Sequence, residues 1–387
     1  MAGSINTESK ILFTAYDTGT TGALLPAMDE LLREGVPFQV MAVGTAHDLM
    51  KDHFTASGHS NVLLDMNSDC GVETVIPQNG WDRARELPKA DLAKIAACAA
   101  PKVVVSGMSS AVEDQIGETF FERGAKHLVD YDGFADFDKN NPVGMRFLDS
   151  AFEFLVPTQK FADSLVAAKS DAHYKVVGQP SLEEWSTAPA RIDAASIRAK
   201  LNLTTDKPVL LYAGGYGDTY EQAFRLFCEA AKVLQSDYQI IVSIHPKRDD
   251  PKADDGVKYF ERHILDESGL QNVHVISKKR SEVTTLEATL VADVVASQNS
   301  TVGVQALFMH RPTLYLDNPG TDYSNLSIAT RVSPQVTTAA DFITQVRALD
   351  RAADAPGYFD SLPQKLGIPS GATQSLVKEI LATVRGL

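Results

Sequence analysis

The sequence has few basic residues, few cysteines and no long hydrophobic run. Its apolar stretches fall short of the roughly 18 residues that a transmembrane helix needs, so we expect no integral membrane segment. Lys and Arg number 36 against 50 Asp and Glu, and the formal charge of -14 repels nucleic acid and anionic lipid. We therefore expect no nucleic-acid partner.

The three cysteines, Cys70, Cys98 and Cys228, are odd in number and lack the spacing of metal ligands. This pattern is typical of reduced thiols, so we expect a cytoplasmic protein that binds no metal at cysteine. Residues 1–10 are polar and contain no apolar core of a signal peptide. We expect them to form a disordered tail.

The chain contains 387 residues, enough for two domains at roughly 150 residues each. Short apolar runs alternate with segments of helical period, which is typical of a parallel sheet covered by helices on both faces. In the first half this pattern predicts six strands, at 11–16, 37–44, 61–66, 102–107, 127–131 and 152–157.

The alternation weakens near residue 174 and resumes at residue 208, so the sequence predicts a second series of strands after a linker. These strands are predicted at 208–215, 238–246, 272–277, 293–298 and 312–317. The predicted fold is α/β, with two Rossmann-like doubly wound domains facing each other across a cleft. Its parts are an N-terminal domain at 11–180, a linker at 181–207, a C-terminal domain at 208–350, and C-terminal helices at 351–387 that pack back toward the first domain.

Ligands of open parallel sheets bind beyond the carboxyl ends of the strands, so the loops there are the candidate sites. In the first domain Asp17 follows the first strand, in a glycine-containing loop that matches neither GxGxxG nor a Walker motif. Glu113 and Asp114 follow the fourth strand, where a general base could deprotonate a hydroxyl group. Acidic residues also favour the first turn of a helix, so a capping role for this pair stays open. His47 and Asp132 are weaker candidates of the same kind.

The second domain offers more candidates for binding a phosphate. Its first strand runs into a glycine-rich loop, its second ends at a histidine followed by proline, and its fourth runs into a group of small polar residues. Such groups at the start of a helix suit a bound phosphate, although helix capping alone would explain some of them. The candidate donor-binding residues are Gly214, Gly215, His245, Ser297, Asn299, Ser300, Thr301 and Gln305.

Two of these segments carry a resemblance to known enzymes. IHP at 244–246 and SQNST at 297–301 are similar to the histidine-proline and serine-rich motifs of bacterial sialyltransferases, Kdo transferases, capsule transferases and teichoic-acid polymerases. The sequence thus resembles a GT-B glycosyltransferase, and the resemblance implies that His245, Ser300 and Thr301 contact the donor phosphate. VEDQIG resembles the acidic motif that supplies the base in the sialyltransferases. Gln115 stands where a glycine normally follows, and Gln305 stands where many GT-B enzymes have a ribose-binding glutamate.

The resemblance implies an inverting, metal-independent glycosyltransferase. It would move a sugar from a nucleotide-sugar donor to a soluble hydroxyl acceptor by direct displacement, without a further cofactor. No Asp-x-Asp motif for a metal stands at the end of a strand. We expect Glu113 or Asp114 to act as the base.

Two alternatives remain open. One is a sugar-nucleotide 2-epimerase or hydrolase of the same fold, although the Arg-rich HRREN-like segment and the Ser-Gly-Gly turn of such epimerases are absent from the sequence. The other is a non-catalytic nucleotide-binding protein, because fold alone does not establish activity.

Overall fold

The computed structural model describes residues 9–74, 82–215, 219–245, 260–277, 281–298, 300–317, 325–353, 355 and 357–386. The chain divides into two compact units. The first consists of Met1–Glu183 and Gly367–Leu387, and the second of Glu184–Leu366. The C-terminal segment therefore returns to the first unit.

The first unit is built on six parallel strands. They are β1 (Ile11–Ala15), β2 (Gln39–Ala42), β3 (Val103–Ser106), β4 (Lys126–Asp130), β5 (Glu153–Val156) and β6 (Tyr174–Val176). The helices are α1 (Thr18–Arg33), α2 (Gly44–Ala56), α3 (Lys89–Cys98), α4 (Ala111–Phe121), α5 (Pro142–Ser150), α6 (Gln159–Ala168), α7 (Ser181–Arg191), which continues into the second unit, and, at the C-terminus, α16 (Ala372–Arg385).

Alternate side chains of β1 enter cores on opposite faces of this sheet, as the period of two residues requires. Ile11 and Phe13 pack in a cluster that includes Leu24 of α1 and Leu376 of α16. Leu12 packs in a second cluster that includes helices α3 and α4. Helices thus cover both faces, and β1 is buried along its whole length.

The second unit is also built on six parallel strands. They are β7 (Val209–Ala213), β8 (Gln239–Ser243), β9 (Val273–Ile276), β10 (Val294–Ser297), β11 (Thr313–Leu316) and β12 (Gln335–Val336). The helices are α8 (Ala194–Lys200), α9 (Tyr220–Leu234), α10 (Phe260–Ser268), α11 (Thr285–Val291), α12 (Val302–Phe308), α13 (Leu326–Ala329), α14 (Ala339–Ala353) and α15 (Leu362–Leu366). Both α7 and α8 lie in the predicted linker.

The strand orders place a switch point in each sheet. The first sheet has the order β2-β1-β3-β4-β5-β6 and the second β12-β11-β10-β7-β8-β9. In each sheet the later strands are added on both sides of the first strand. The switch points therefore lie between β1 and β3 and between β7 and β10. The predicted fold class, two Rossmann-like doubly wound units, is confirmed.

The prediction of a strand over residues 61–66 is wrong. Ser60–Val62 forms a 3-10 helix, and Leu63 makes a single parallel bridge to Val40 of β2. Beyond it, the backbone N–H of Asp65 donates to Asp69 Oδ2. This local turn takes the backbone groups that a longer strand would have paired with β2.

The prediction of reduced thiols is wrong for two of the three cysteines. Cys70 and Cys98 form a disulfide, and Cys228 is free and buried in α9. The two cysteines are 28 residues apart in the sequence, and their pairing depends on the fold, which places the end of α3 beside Cys70. The predicted tail at 1–10 lies almost entirely outside the described residues.

Candidate active site

The switch point of the first sheet brings two predicted residues together. Asp17 follows β1 and caps α1, where its Oδ1 accepts a hydrogen bond of 3.1 Å from the backbone N–H of Thr20. Glu113 lies in the first turn of α4, which follows the neighbouring strand β3. The side chain of Thr20 links the two loops, because its hydroxyl donates to Ser109 Oγ over 3.2 Å.

Glu113 has one bonded oxygen and one oxygen without a partner. Its Oε2 accepts hydrogen bonds from the backbone N–H groups of Ser109 and Ser110, at 3.0 and 2.7 Å, and from the Ser110 hydroxyl. This is the capping box of α4, so the capping role left open by the sequence is present. Its Oε1 is buried and has no hydrogen-bond partner among the described residues. Burial and the nearby charge of Asp17 raise the pKa of Glu113 well above its ordinary value of 4.5.

A second buried carboxyl group ends the adjacent strand. Asp130 is the last residue of β4, and its Oδ2 is buried without a hydrogen-bond partner in the described part of the chain. Burial, followed by the charge of Asp132, raises the pKa of Asp130 well above its ordinary value of 3.8. Asp132 also faces α1, since a Cβ built on Gly19 would overlap its Oδ2. Glycine at position 19 is what allows this close approach.

We call Asp17, Glu113, Asp130 and Asp132 the acidic cluster. Asp17 and Asp132 both act electrostatically on Glu113, and Asp132 acts on Asp130. Neighbouring carboxylates in a buried place cannot all ionise at low cost, so Glu113 and Asp130 favour their protonated forms. A protonated carboxyl group can donate a proton and its ionised form can accept one, which is the requirement for general acid–base catalysis.

Asp114 faces away from this cluster. Its Oδ2 accepts a hydrogen bond of 3.0 Å from Arg146 Nε and its Oδ1 one of 2.6 Å from the Ser150 hydroxyl, so it joins α4 to α5. His47 lies in α2 with its Nδ1 3.3 Å from Asp48 Oδ1. The structure therefore brings Asp17, Glu113 and Asp132 together, and it places Asp114 and His47 in other contacts.

Sequence reasoning missed Asp130. The signal was present, since HLVDY places an acidic residue at the end of an otherwise apolar strand, where burial of a charge is costly. Such a residue marks either a buried ion pair or a functional group. No basic partner of Asp130 is present among the described residues.

The switch point of the second sheet holds the other predicted residues. Gly214 and Gly215 follow β7, and Ser297 ends β10. The Ser297 hydroxyl is buried and donates to the carbonyl oxygen of Ala213 over 3.2 Å, so it is already engaged within the sheet. His245 is half-buried just beyond β8, on the other side of β7. Strands β8 and β10 are two positions apart, which corresponds to about 10 Å at one edge of the sheet.

The remaining predicted donor residues surround the start of α12. Ser300 Oγ accepts from the backbone N–H of Val302 at 3.3 Å, and the exposed Thr301 hydroxyl lies 3.4 Å from Gln305 Oε1. Asn299 lies outside the described residues. Sequence reasoning passed over Gln298, whose amide nitrogen is 3.3 Å from Thr219 Oγ1 and whose buried Oε1 has no partner among the described residues. Gln298 stands within SQNST, so the motif itself was the available signal.

Among the helices that the structure describes, none combines the length and the apolar character needed to span a membrane.

Comparison with known proteins gives matches by structure alone. The sequence matches no protein-family model, and no curated protein is similar enough to match it. A Neisseria meningitidis UDP-GlcNAc 2-epimerase bound to UDP-GlcNAc superposes with a TM-score of 0.66 at 11% identity, over 96% of this chain and 99% of that one. A Methanocaldococcus jannaschii UDP-GlcNAc 2-epimerase in complex with UDP-GlcNAc and UDP gives 0.65 at 14% identity, over 96% and 99%. The wall teichoic acid polymerase TagF gives 0.57 at 12% identity, over 99% and 90%.

These matches establish the GT-B fold and correct the predicted function. Our prediction of a glycosyltransferase is wrong by this comparison, because the similar structures are mostly UDP-GlcNAc 2-epimerases. The alternative, a sugar-nucleotide 2-epimerase, is the better supported prediction. TagF is a teichoic-acid polymerase, whereas the resemblance to sialyltransferases and Kdo transferases has no support here. The hydroxyl acceptor is likewise unsupported.

Proposed function

We propose that this protein is a sugar-nucleotide 2-epimerase, with UDP-N-acetylglucosamine as the substrate to test first. The observation that carries the proposal is the pair of buried carboxyl groups, Glu113 and Asp130, at the carboxyl ends of the adjacent strands β3 and β4. Both favour the protonated form, and each has an oxygen without a hydrogen-bond partner among the described residues. The likeness of nearly the whole chain to UDP-GlcNAc 2-epimerases supports the same proposal.

Inversion at C2 of a sugar nucleotide requires that the C2 proton leaves one face, while its bonding electrons form a C1–C2 double bond and the C1–O bond to the nucleotide breaks. The nucleotide oxygen then re-forms its bond to C1 as a proton is delivered to the opposite face of C2. Two acid–base groups with pKa values moved toward neutrality suit this exchange. We assign one step to Glu113 and the other to Asp130. Burial raises both pKa values, and the charges of Asp17 and Asp132 raise that of Glu113 further while Asp132 does so for Asp130. A direct displacement by a hydroxyl acceptor needs a single base and leaves a second protonated acid without a task.

The chain lacks the HRREN-like segment and the Ser-Gly-Gly turn of epimerases, so the proposal rests on this chain's own residues. For binding the nucleotide we retain His245, Ser300 and Thr301 as proposed phosphate contacts, with Gly214, Gly215 and Gln305 near them in the second unit, and we add Gln298. A cytoplasmic location also stays a proposal, and the Cys70–Cys98 disulfide does not favour it.

The test is incubation of the protein with UDP-N-acetylglucosamine alone in D2O. Epimerisation through proton exchange produces the C2 epimer with deuterium at C2, both visible by NMR, whereas hydrolysis releases free UDP. We expect Glu113→Gln and Asp130→Asn each to lower the rate by about 100-fold or more. The matched control is Glu118→Gln on the exposed side of the same helix α4, which should leave the rate unchanged. Absence of epimer and of deuterium exchange, or full activity of both variants, would refute the proposal.

A further inference from the structure

A surface cavity of about 430 Å³ lies in the second unit, within the size range of small-molecule sites. Its lining combines two cations, hydroxyl groups and an apolar part, from Thr330, Arg331, Tyr358, Ser361, Leu362 and Lys365. Arg331 and Lys365 are exposed, and neither forms an ion pair with a residue that the structure describes. Two cations thus line one cavity in a chain with a formal charge of -14.

The cavity lies at the amino edge of the second sheet. Ser333, next to the cavity residue Val332, shares a hydrogen bond with Thr313, the first residue of β11. The part of the lining that includes Tyr358 lies at the same edge. Its neighbour Phe359 stacks on His310, just before β11 begins, with ring centroids 5.1 Å apart. His245 and Ser300 follow the carboxyl ends of their strands, so the cavity is separate from the proposed nucleotide contacts.

The backbone conformation of Arg331 is one that residues other than glycine rarely adopt. Arg331 has φ of 59°, in the left-handed region. It ends α13 as in a Schellman motif, with its N–H bonded to Ile328 O and the N–H of Val332 bonded to Ser327 O. Glycine is the usual residue at this position because it adopts the conformation without cost. Arginine at this position therefore costs conformational free energy relative to glycine. It places a cation at the wall of the cavity.

We propose that this cavity binds a small organic phosphate. The phosphate group contacts Arg331 and Lys365, with the Ser361 and Thr330 hydroxyls as additional donors, and the organic part packs against Tyr358 and Leu362. Arginine and lysine together suit a phosphate because their hydrogen bonds to it are charge-assisted. The assignment is independent of the epimerase proposal, since it uses none of the same residues.

The test is isothermal titration of the full chain with glucose 1-phosphate and with inorganic phosphate. The decisive variant is Arg331→Gly, which removes the cation and relieves the backbone strain, so its melting temperature should equal or exceed that of the wild type. We expect it to weaken binding by about tenfold or more, with a similar loss for Lys365→Ala. Lys232→Ala, which removes an exposed cation on α9, is the control and should bind like the wild type.

Binding of both probes that is lost in Arg331→Gly and retained in Lys232→Ala supports the site. Tighter binding of glucose 1-phosphate than of phosphate supports the contact with Tyr358 and Leu362, and equal binding overturns that part. No heat from either probe at millimolar concentration, or unchanged affinity in Arg331→Gly and Lys365→Ala, overturns the proposal.

Discussion

Two acidic residues that are neighbours in the sequence, and both buried, have different roles because their partners differ. Glu113 and Asp114 are adjacent, and nothing in VEDQIG distinguishes them. Successive residues of a helix point about 100° apart, so one side chain turns toward the end of β3 and the other toward α5. Asp114 binds Arg146 and Ser150, whereas Glu113 accepts hydrogen bonds at the helix start and forms no ion pair with a residue that the structure describes. The sequence alone could place both residues at the end of a strand, but it could not show which one lacks a cation.

Glu113→Gln should change the pH dependence of stability. The folded state keeps the Glu113 proton to a higher pH than the unfolded state, whose pKa is near 4.5. The stabilisation that the folded state gains from this proton is therefore fully present below about pH 4.5. It is lost as the pH rises through the pKa of the folded state. Glutamine keeps the shape and the capping box without this loss. We expect the melting temperature of the variant, relative to wild type, to rise as the pH increases above 4.5 and to level off once the pH has passed the folded-state pKa of Glu113.

Glu122→Gln, at the exposed C-cap of α4, is measured in parallel and controls for the loss of a carboxylate on this helix. A difference between Glu113→Gln and wild type that stays constant with pH, or that falls as the pH rises, would mean that Glu113 is ionised in the folded protein. The acid–base role would then have no basis.

At the scale of elements, α4 packs on β4 at a position that admits only glycine. A Cβ built on Gly117 would overlap the ring of His127, which is fully buried and bonded to the Ser106 hydroxyl at 2.8 Å. Gly117→Ala should therefore destabilise the protein by about 1 to 3 kcal/mol, despite the better helix propensity of alanine. Denaturant unfolding measures the difference. Gly22→Ala in α1 is the matched control, because its Cβ would make only an ordinary contact of 3.8 Å with Ser181. Equal stability of both variants would contradict this packing.

The Cys70–Cys98 disulfide joins the end of α3 to the segment that follows the single bridge between Leu63 and Val40. A link that closes a loop of 28 residues restricts the unfolded chain, and its reduction should lower the free energy of unfolding by about 3 to 4 kcal/mol. Melting curves with and without a reductant measure this loss. A variant carrying both Cys70→Ser and Cys98→Ser should not respond to the reductant. A wild-type melting temperature that is insensitive to reductant would show that the thiols are not paired.

Elements with a strong pattern of apolar side chains were predictable from the sequence. Elements whose structure depends on tertiary contacts were not. The buried strands β1, β3 and β7 read directly from runs such as ILFTA and VVVS, because both faces of a parallel strand are apolar. The run NVLLDM has the same character, yet its Asp65 forms a local turn and the strand shrinks to one bridge. Strands β6 and β12, with only three and two residues, carry too short a pattern to recognise.

At the scale of the whole molecule, two doubly wound sheets and their carboxyl edges followed from the sequence, but the reaction did not. His245 and the described residues of SQNST follow strands of the second sheet, and that placement is compatible with transfer and with epimerisation alike. The raised pKa values of Glu113 and Asp130, on which our proposal depends, result from burial and from charges that follow β1 and β4. Such long-range contacts leave no local pattern.

The return of α16 to the first unit links the C-terminus to the fold of the N-terminal sheet. Leu376 is fully buried among Leu24, Leu31 and Phe13 of that unit, and Thr373 hydrogen-bonds to Glu183 at the start of α7. Leu376→Ala should therefore destabilise the first unit by about 2 to 5 kcal/mol through the lost contacts and the cavity left behind. Hydrogen exchange should show faster exchange in β1 and α1 and unchanged exchange in β7 and α9. Lys378→Ala, on the exposed face of the same helix, should alter neither. Equal loss of protection in β7 and α9 would mean that the two compact units unfold as one, and unchanged exchange in β1 would mean that α16 is not part of the first core.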